Sequence, residues 1–156
     1  LSEEMVKVGV AKLQRKGIEA KMMVADAENL PFEECEFEAL TCAFGVRNFG
    51  NLSAGLSEMR RVVSKGGKIA ILEYSRNQRK NLWTALFNLY FKKILPFIGG
   101  VISRNRAAYQ YLPDSVDGFC TNDEFIEKLN NTGFINCKAK TYMGGIVTLF
   151  TANTPL

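Results

Sequence analysis

The sequence predicts an α/β fold built on a mostly parallel sheet with helices on both faces. Three observations predict it. Apolar runs of strand length alternate with stretches of helical periodicity, in the order helix, strand, loop, strand, helix, strand; that alternation requires crossover connections. The run Phe37 to Phe44 is near-continuously apolar, which suits a strand covered on both faces. Two segments, Asp26-Ala27-Glu28-Asn29-Leu30-Pro31-Phe32 and Phe44-Gly45-Val46-Arg47-Asn48, each follow an apolar run. They therefore fall at the carboxyl edge of the sheet, where open α/β sheets bind ligands.

Each element has a local signal. Ser2-Glu3-Glu4 starts a helix with Met5, Val8 and Leu13 on one side and Gly17 as its stop. Ala20 to Ala25 reads as a short strand, Asp26 to Glu36 as an acidic loop containing Pro31, and Phe37 to Phe44 as a second strand. Asn51-Leu52-Ser53 opens a helix to about Val63, with Leu52, Leu56, Met59 and Val63 at helical spacing. Lys65-Gly66-Gly67 is expected to end it, and Lys68 to Tyr74 to form a third strand. From Asn81 to Arg106 the chain reads as helical and rich in aromatic and aliphatic residues, broken by Pro96 and Gly99-Gly100. Thr121-Asn122-Asp123-Glu124 caps a further helix. Phe134 to Tyr142 and Ile146 to Thr151 read as two strands joined by a Met143-Gly144-Gly145 hairpin, so one of them is antiparallel.

Composition narrows the chemistry. The 156 residues are one domain's worth of chain. The net charge of +4 is spread over scattered basic residues, which argues against nucleic acid as a partner. There is no histidine, so Ser-His-Asp and Cys-His catalysis and most zinc chemistry are excluded. Cys35, Cys42, Cys120 and Cys137 make no C-x-x-C pair; this usage fits a reducing cytoplasm and neither a metal site nor a disulfide framework. The apolar stretch Leu82 to Ile102 is interrupted by Asn88, Lys92, Lys93 and Pro96, too broken for a membrane span.

Several motifs together carry a resemblance. They are Asp26-Ala27-Glu28-Asn29-Leu30-Pro31-Phe32, Phe44-Gly45-Val46-Arg47-Asn48, Glu58-Met59-Arg60-Arg61-Val62, Lys65-Gly66-Gly67-Lys68 and Leu72-Glu73-Tyr74-Ser75. Tyr109-Gln110-Tyr111-Leu112-Pro113-Asp114-Ser115 and Thr141-Tyr142-Met143-Gly144-Gly145-Ile146 add to them. Over nearly the whole chain these resemble the ubiquinone/menaquinone biosynthesis C-methyltransferases. The resemblance implies a class I methyltransferase fold, S-adenosyl-L-methionine (SAM) as methyl donor, and a prenylated quinol such as demethylmenaquinol as acceptor, methylated at a ring carbon. Another small aromatic or lipid acceptor, or an inactive unit that only oligomerises, are the competing readings.

The same resemblance assigns roles, each with a plainer alternative. Asp26 and Ala27 resemble adenine contacts, a carboxylate for the amino group and a backbone N–H for the ring; Asp26 could instead only cap its loop. Ala43, Phe44 and Gly45 would face the cofactor. Ala43 stands where the family often has serine, so a hydroxyl contact is lost. Gly45 would let the backbone approach a ligand, or is a plain turn glycine. Arg47 and Asn48 are the candidates for catalysis: a guanidinium stays charged and can stabilise a developing phenolate, while Asn48 orients the quinol oxygen. The alternative for Arg47 is a surface pair with Glu33, Glu34 or Glu36. Glu73, Tyr109 and Tyr111 are expected to line the quinol pocket or, for the tyrosines, to pack against cover helices. Residues 80–113 form an expected helical cover for the prenyl tail. Peripheral contact with the inner membrane face through that cover is weighed against a core helix or a homodimer face.

No glycine-rich nucleotide loop precedes Asp26, and the chain opens at Leu1 just before a helix. The family holds the methionine end of SAM on a glycine-rich turn and its ribose on an acidic residue, and Leu1-Ser2 resembles the tail of the latter motif. Residues 1–156 are thus read as the C-terminal portion of one methyltransferase domain, N-terminally truncated. Five of seven family strands are expected, with Ala20 to Ala25 separated from its neighbours. Such a fragment is expected to bind SAM weakly or not at all and not to turn over, and its open strand edge invites a second copy.

Overall fold

A computed structural model describes residues 2–74, 115–116 and 118–156. The first helix, α1 (Glu3–Arg15), starts where Ser2 predicts: the Ser2 hydroxyl accepts from the Met5 amide at 3.3 Å. Glu3 and Glu4 lie in its first turn, where the helix dipole favours negative charge. No residue of α1 is buried, and Met5 and Val8 are exposed.

Ala20 to Ala25 does not form the expected strand, and Met22, Met23 and Val24 stay exposed. A strand is stabilised by cross-strand partners and by a sheet face to pack on. Among the described residues none runs beside this segment, so its apolar character has no ladder to join. Among the described residues the sheet therefore holds four strands rather than five.

Those strands are β1 (Phe37–Ala43), β2 (Val63–Tyr74), β3 (Ile135–Tyr142) and β4 (Val147–Asn153), in the spatial order β1-β2-β4-β3. β1 and β2 are parallel and joined through α2 (Leu52–Val62). β4 is antiparallel to both of its neighbours, as the hairpin predicts. Three strands thus share one direction, but only one of the ladders is parallel.

Asn51 caps α2, its side chain accepting from the Ala54 amide at 3.1 Å. The glycines at 66 and 67 do not stop this helix, which ends at Val62 and passes straight into β2. They serve a bulge instead. The pairing of β1 jumps from Phe37 opposite Val63 to Ala39 opposite Lys68, so residues 64–67 loop out against Glu38. Gly66 takes a φ of 71° there, and a Cβ on Gly67 would lie 2.8 Å from the Glu38 carbonyl oxygen.

Both described crossover helices cover one sheet face. Leu56 and Met59 of α2, Phe125 and Leu129 of α3 (Asn122–Asn131), Ile69 and Ile71 of β2, and Phe150 of β4 share one apolar core. Phe125 sits at its centre, with ring centroids 4.5 Å from Phe150 and 5.5 Å from Phe119. Thr121 and Glu124 start α3 with the reciprocal capping box that the sequence predicts. In β2, residues 69, 71 and 73 alternate into this face and all are buried. The buried row therefore ends, at the carboxyl edge of the sheet, on the carboxylate of Glu73.

The expected cover at 80–113, with Tyr109 and Tyr111, lies outside the described residues. Among the described residues no helix is long and apolar enough to cross a membrane.

Candidate active site

β1 ends at Ala43, and the next residue turns sharply. Phe44 has a φ of 56°, a left-handed conformation that a bulky residue rarely adopts. Its amide still donates to the Leu72 carbonyl at 2.8 Å, so the turn begins flush with the sheet edge. A single 3-10 turn, Val46–Asn48, follows. Val46 is buried and anchors it. Phe44 also packs its ring against Tyr74, with centroids 4.8 Å apart.

This geometry brings Arg47 onto Glu73. The Arg47 Nη1 donates to Glu73 Oε1 at 2.7 Å and to the Phe44 carbonyl at 2.7 Å. Its Nε donates to Ser115 Oγ at 3.3 Å, and its Cζ lies 5.5 Å from the Tyr74 ring centroid. Glu73 also accepts from the Tyr74 amide at 2.8 Å and from the Arg47 amide at 3.4 Å. The pair is enclosed: the Arg47 side chain is 9% exposed and that of Glu73 0%. Arg47 is thus neither free nor paired with Glu33, Glu34 or Glu36, and its partner is a residue expected among the substrate contacts. Glu73 is wholly buried and its carboxylate faces Arg47. Burial pushes the Cys42 thiol up, and the negative charge of nearby Glu73 pushes it further.

A guanidinium has five N–H donors. Nε and Nη1 are engaged, and among the described residues Nη2 has no partner. The Asn48 amide nitrogen lies 3.5 Å from the Phe44 carbonyl, at the limit of hydrogen bonding.

Gly45 has φ −112° and ψ −40°, open to any residue. What requires glycine is a neighbour: a Cβ there would stand 2.9 Å from Cys42 Sγ.

The Asp26 loop is built separately and tied to the same rim. The Asp26 carboxylate accepts from the Glu28 amide at 3.0 Å, and the Asp26 carbonyl from the Asn29 amide at 3.1 Å. Asp26 does cap its own loop, using Oδ1. Among the described residues its Oδ2 and the Ala27 N–H carry no hydrogen bond, leaving an acceptor beside a donor. Glu28 reaches across to accept from the Asn51 amide at 2.9 Å, at the start of α2 and three residues beyond Asn48. Farther along α2, Glu58 accepts from the Leu30 amide at 2.8 Å. Arg61 donates to the Leu30 and Phe32 carbonyls at 3.0 and 2.7 Å and to both Glu58 oxygens. Arg61 holds the Glu58 carboxyl below the usual range, aided by the Leu30 amide.

The structure therefore gathers Ala43, Phe44, Gly45, Arg47, Asn48 and Glu73 at one strand-end rim and ties the Asp26–Ala27 turn to it through Glu28. Sequence reasoning missed Ser115, the Glu28 bridge and the Glu58–Arg61 clamp. The i, i+3 spacing of Glu58 and Arg61 on a helix was the one available signal.

A family model described as the ubiE/COQ5 methyltransferase family matches residues 1–154. The ubiquinone/menaquinone biosynthesis C-methyltransferase UbiE of Campylobacter jejuni is 38% identical over 145 residues, which cover 93% of this chain and 61% of that protein. The demethylmenaquinone methyltransferase of Bacteroides fragilis is 36% identical over 154 residues, covering 97% of this chain and 62% of that protein. The chain thus spans about three fifths of the length of these curated relatives. A crystal structure of a SAM dependent methyltransferase from Aquifex aeolicus matches with a TM-score of 0.66 at 14% identity, over 97% of this chain and 64% of that one. At that identity the likeness shows the fold, the class I methyltransferase architecture.

Proposed function

The chain belongs to the ubiE/COQ5 methyltransferase family, and from that premise we propose that it methylates a ring carbon of a prenylated quinol, of the demethylmenaquinol type, with SAM as donor. The observation that carries the reading is the Arg47 guanidinium, held at the strand-end rim through Nε and Nη1, with no bond from Nη2 to a described residue.

The residues present fit the adenosyl part of SAM. Asp26 Oδ2 is an acceptor for an exocyclic amine, and the Ala27 N–H beside it is a donor for a ring nitrogen. Bound SAM supplies an electrophilic methyl group on a sulfonium. The rest falls to the chain. A quinol ring carbon becomes nucleophilic as the phenol loses its proton, and the negative charge grows on the phenol oxygen; as the new C–C bond forms the methyl–sulfur bond would break to leave a thioether, and the ring carbon would then shed its own hydrogen as a proton while the oxygen is reprotonated. Arg47 is placed to donate hydrogen bonds to that oxygen from Nη2. A guanidinium is a permanent cation in proteins, so the role proposed for Arg47 is to stabilise charge, and the proton would pass to water. Asn48, in the same 3-10 turn, orients the acceptor.

The prenyl tail keeps such an acceptor in lipid. We therefore place the enzyme in the cytoplasm, working against the membrane surface and not spanning it. Residues 1–156 by themselves are proposed to bind SAM weakly or not at all, since Ala20 to Ala25, which leads into the Asp26 turn, pairs with no strand among the described residues. Calorimetric titration of this chain giving micromolar affinity would refute that.

The test of the reaction is methyl transfer from labelled SAM to a short-tailed demethylmenaquinol by the full-length protein. Arg47→Ala should lower kcat about 10²–10³-fold, the usual cost of losing a charge-stabilising donor, and change SAM affinity by less than about threefold. Undiminished turnover in Arg47→Ala, or no transfer to any quinol by the unaltered enzyme, would overturn the reading.

A further inference from the structure

We propose that Glu73 is the positioning residue for Arg47: it never touches the substrate, and it sets the direction in which the guanidinium presents its free edge. This rests on the quinol-methylation reading and adds a residue to it.

The argument begins with where Glu73 stands. It follows Ile69 and Ile71 in the inward row of β2 and is completely buried. A carboxylate in such a row is costly, and an ion pair there is weak support for stability, because well-packed apolar residues often serve as well or better. The arrangement instead restricts one side chain. Oε1 takes Nη1 at 2.7 Å, Oε2 takes the backbone amide of the same arginine at 3.4 Å, and the Tyr74 amide holds Oε1 from the other side at 2.8 Å. Ser115 and the Phe44 carbonyl occupy further donors of the fork. With Nε and Nη1 engaged, rotation of the planar group is blocked and Nη2 is the edge that remains. Locked orientation of a donor is what makes it effective on charge that develops during a reaction.

The test is a double-mutant cycle in the full-length enzyme, using Glu73→Gln, Arg47→Ala and both together, with kcat, quinol KM and SAM affinity measured for each. Glu73→Gln should lower kcat about tenfold or more and move KM and SAM affinity by less than about threefold, well short of losing the donor outright. The double variant should be no slower than Arg47→Ala alone, since a residue acting only through Arg47 has nothing left to position. An equal loss from Glu73→Gln in both backgrounds would overturn the proposal, as would wild-type turnover in Glu73→Gln. Glu73→Asp covers the case in which the amide variant does not fold. It keeps the charge and shortens the reach, so it should fold and still lose turnover; full activity would count against positioning. Guanidinium NMR of Arg47 reads the lock without turnover. Slow rotation about its C–N bonds should be seen in the unaltered enzyme and lost in Glu73→Asp, and unchanged signals would refute the proposal. If Arg47→Ala itself turned over normally, the quinol reading would fail while these signals still reported on Glu73.

Discussion

Replacing Gly45 by alanine isolates why glycine stands at the turn beside the site. The backbone there is ordinary, at φ −112° and ψ −40°, so alanine carries no conformational penalty. By restricting the unfolded chain it should even stabilise by about 0.4–1 kcal/mol. The obstacle is Cys42: the new Cβ would meet its Sγ at 2.9 Å, well inside the contact distances of about 4 Å at which apolar atoms pack. The sulfur is one bond from its own Cβ and can yield only by leaving its rotamer. Overpacking of this kind costs about 1–3 kcal/mol, so Gly45→Ala should be net destabilising by up to about 2.6 kcal/mol after the chain-entropy gain is subtracted. Cys42→Ala removes the sulfur. In that background Gly45→Ala should turn neutral or slightly stabilising, giving a coupling of about 1–3 kcal/mol. Urea midpoints of the four proteins, with m-values checked for constancy, measure it. The same loss in both backgrounds would refute the steric argument. A double variant that regains stability but not SAM binding would return Gly45 to the role expected from sequence, close approach to a ligand.

Two further outcomes follow from the geometry. The Glu58 carboxyl is held low in the folded protein by Arg61, so its contribution is complete above the ordinary glutamate value of about 4.3 and is lost as pH falls through the lower folded value. The Leu30 amide resonance should therefore titrate with a midpoint below about 4.3; a midpoint at or above it, or no change in Glu58→Gln, would count against the clamp. Phe125→Ala, at a fully buried site between two aromatic rings, should cost about 3–5 kcal/mol by denaturant unfolding, and a cost under about 1 kcal/mol would show that the site collapses freely.

What was legible in the sequence was what is decided locally. Ser2, Asn51 and Thr121 each cap a helix through an amide three residues on, so the caps and helix starts could be read directly. The Met143–Gly145 hairpin is equally local. Ala20 to Ala25 failed as a strand because a strand depends on its neighbour. Lys65-Gly66-Gly67 looked like a helix stop because the bulge it builds needs Glu38 opposite, and nothing in its own residues announces that. The position of Arg47 at a strand end was readable, but its partner was not. Nearby acids at 33, 34 and 36 were the candidates at hand, whereas Glu73 lies 26 residues away and Ser115 lies 68. Only the completed β1–β2 ladder brings Glu73 beside Arg47.

The acidic loop is fastened to α2 at two levels, by Glu28 at its first turn and by Glu58 and Arg61 near its last. The helix thereby acts as a gauge for the loop. One residue added or removed between Asn51 and Glu58 would rotate the far fastening by about 100° and slide it by about 1.5 Å, carrying the carboxylate away from Leu30. Point changes on the outer side of α2 leave that spacing intact, but a change in its length does not. The loop's position therefore depends on the number of residues in this segment more than on the identity of its exposed side chains.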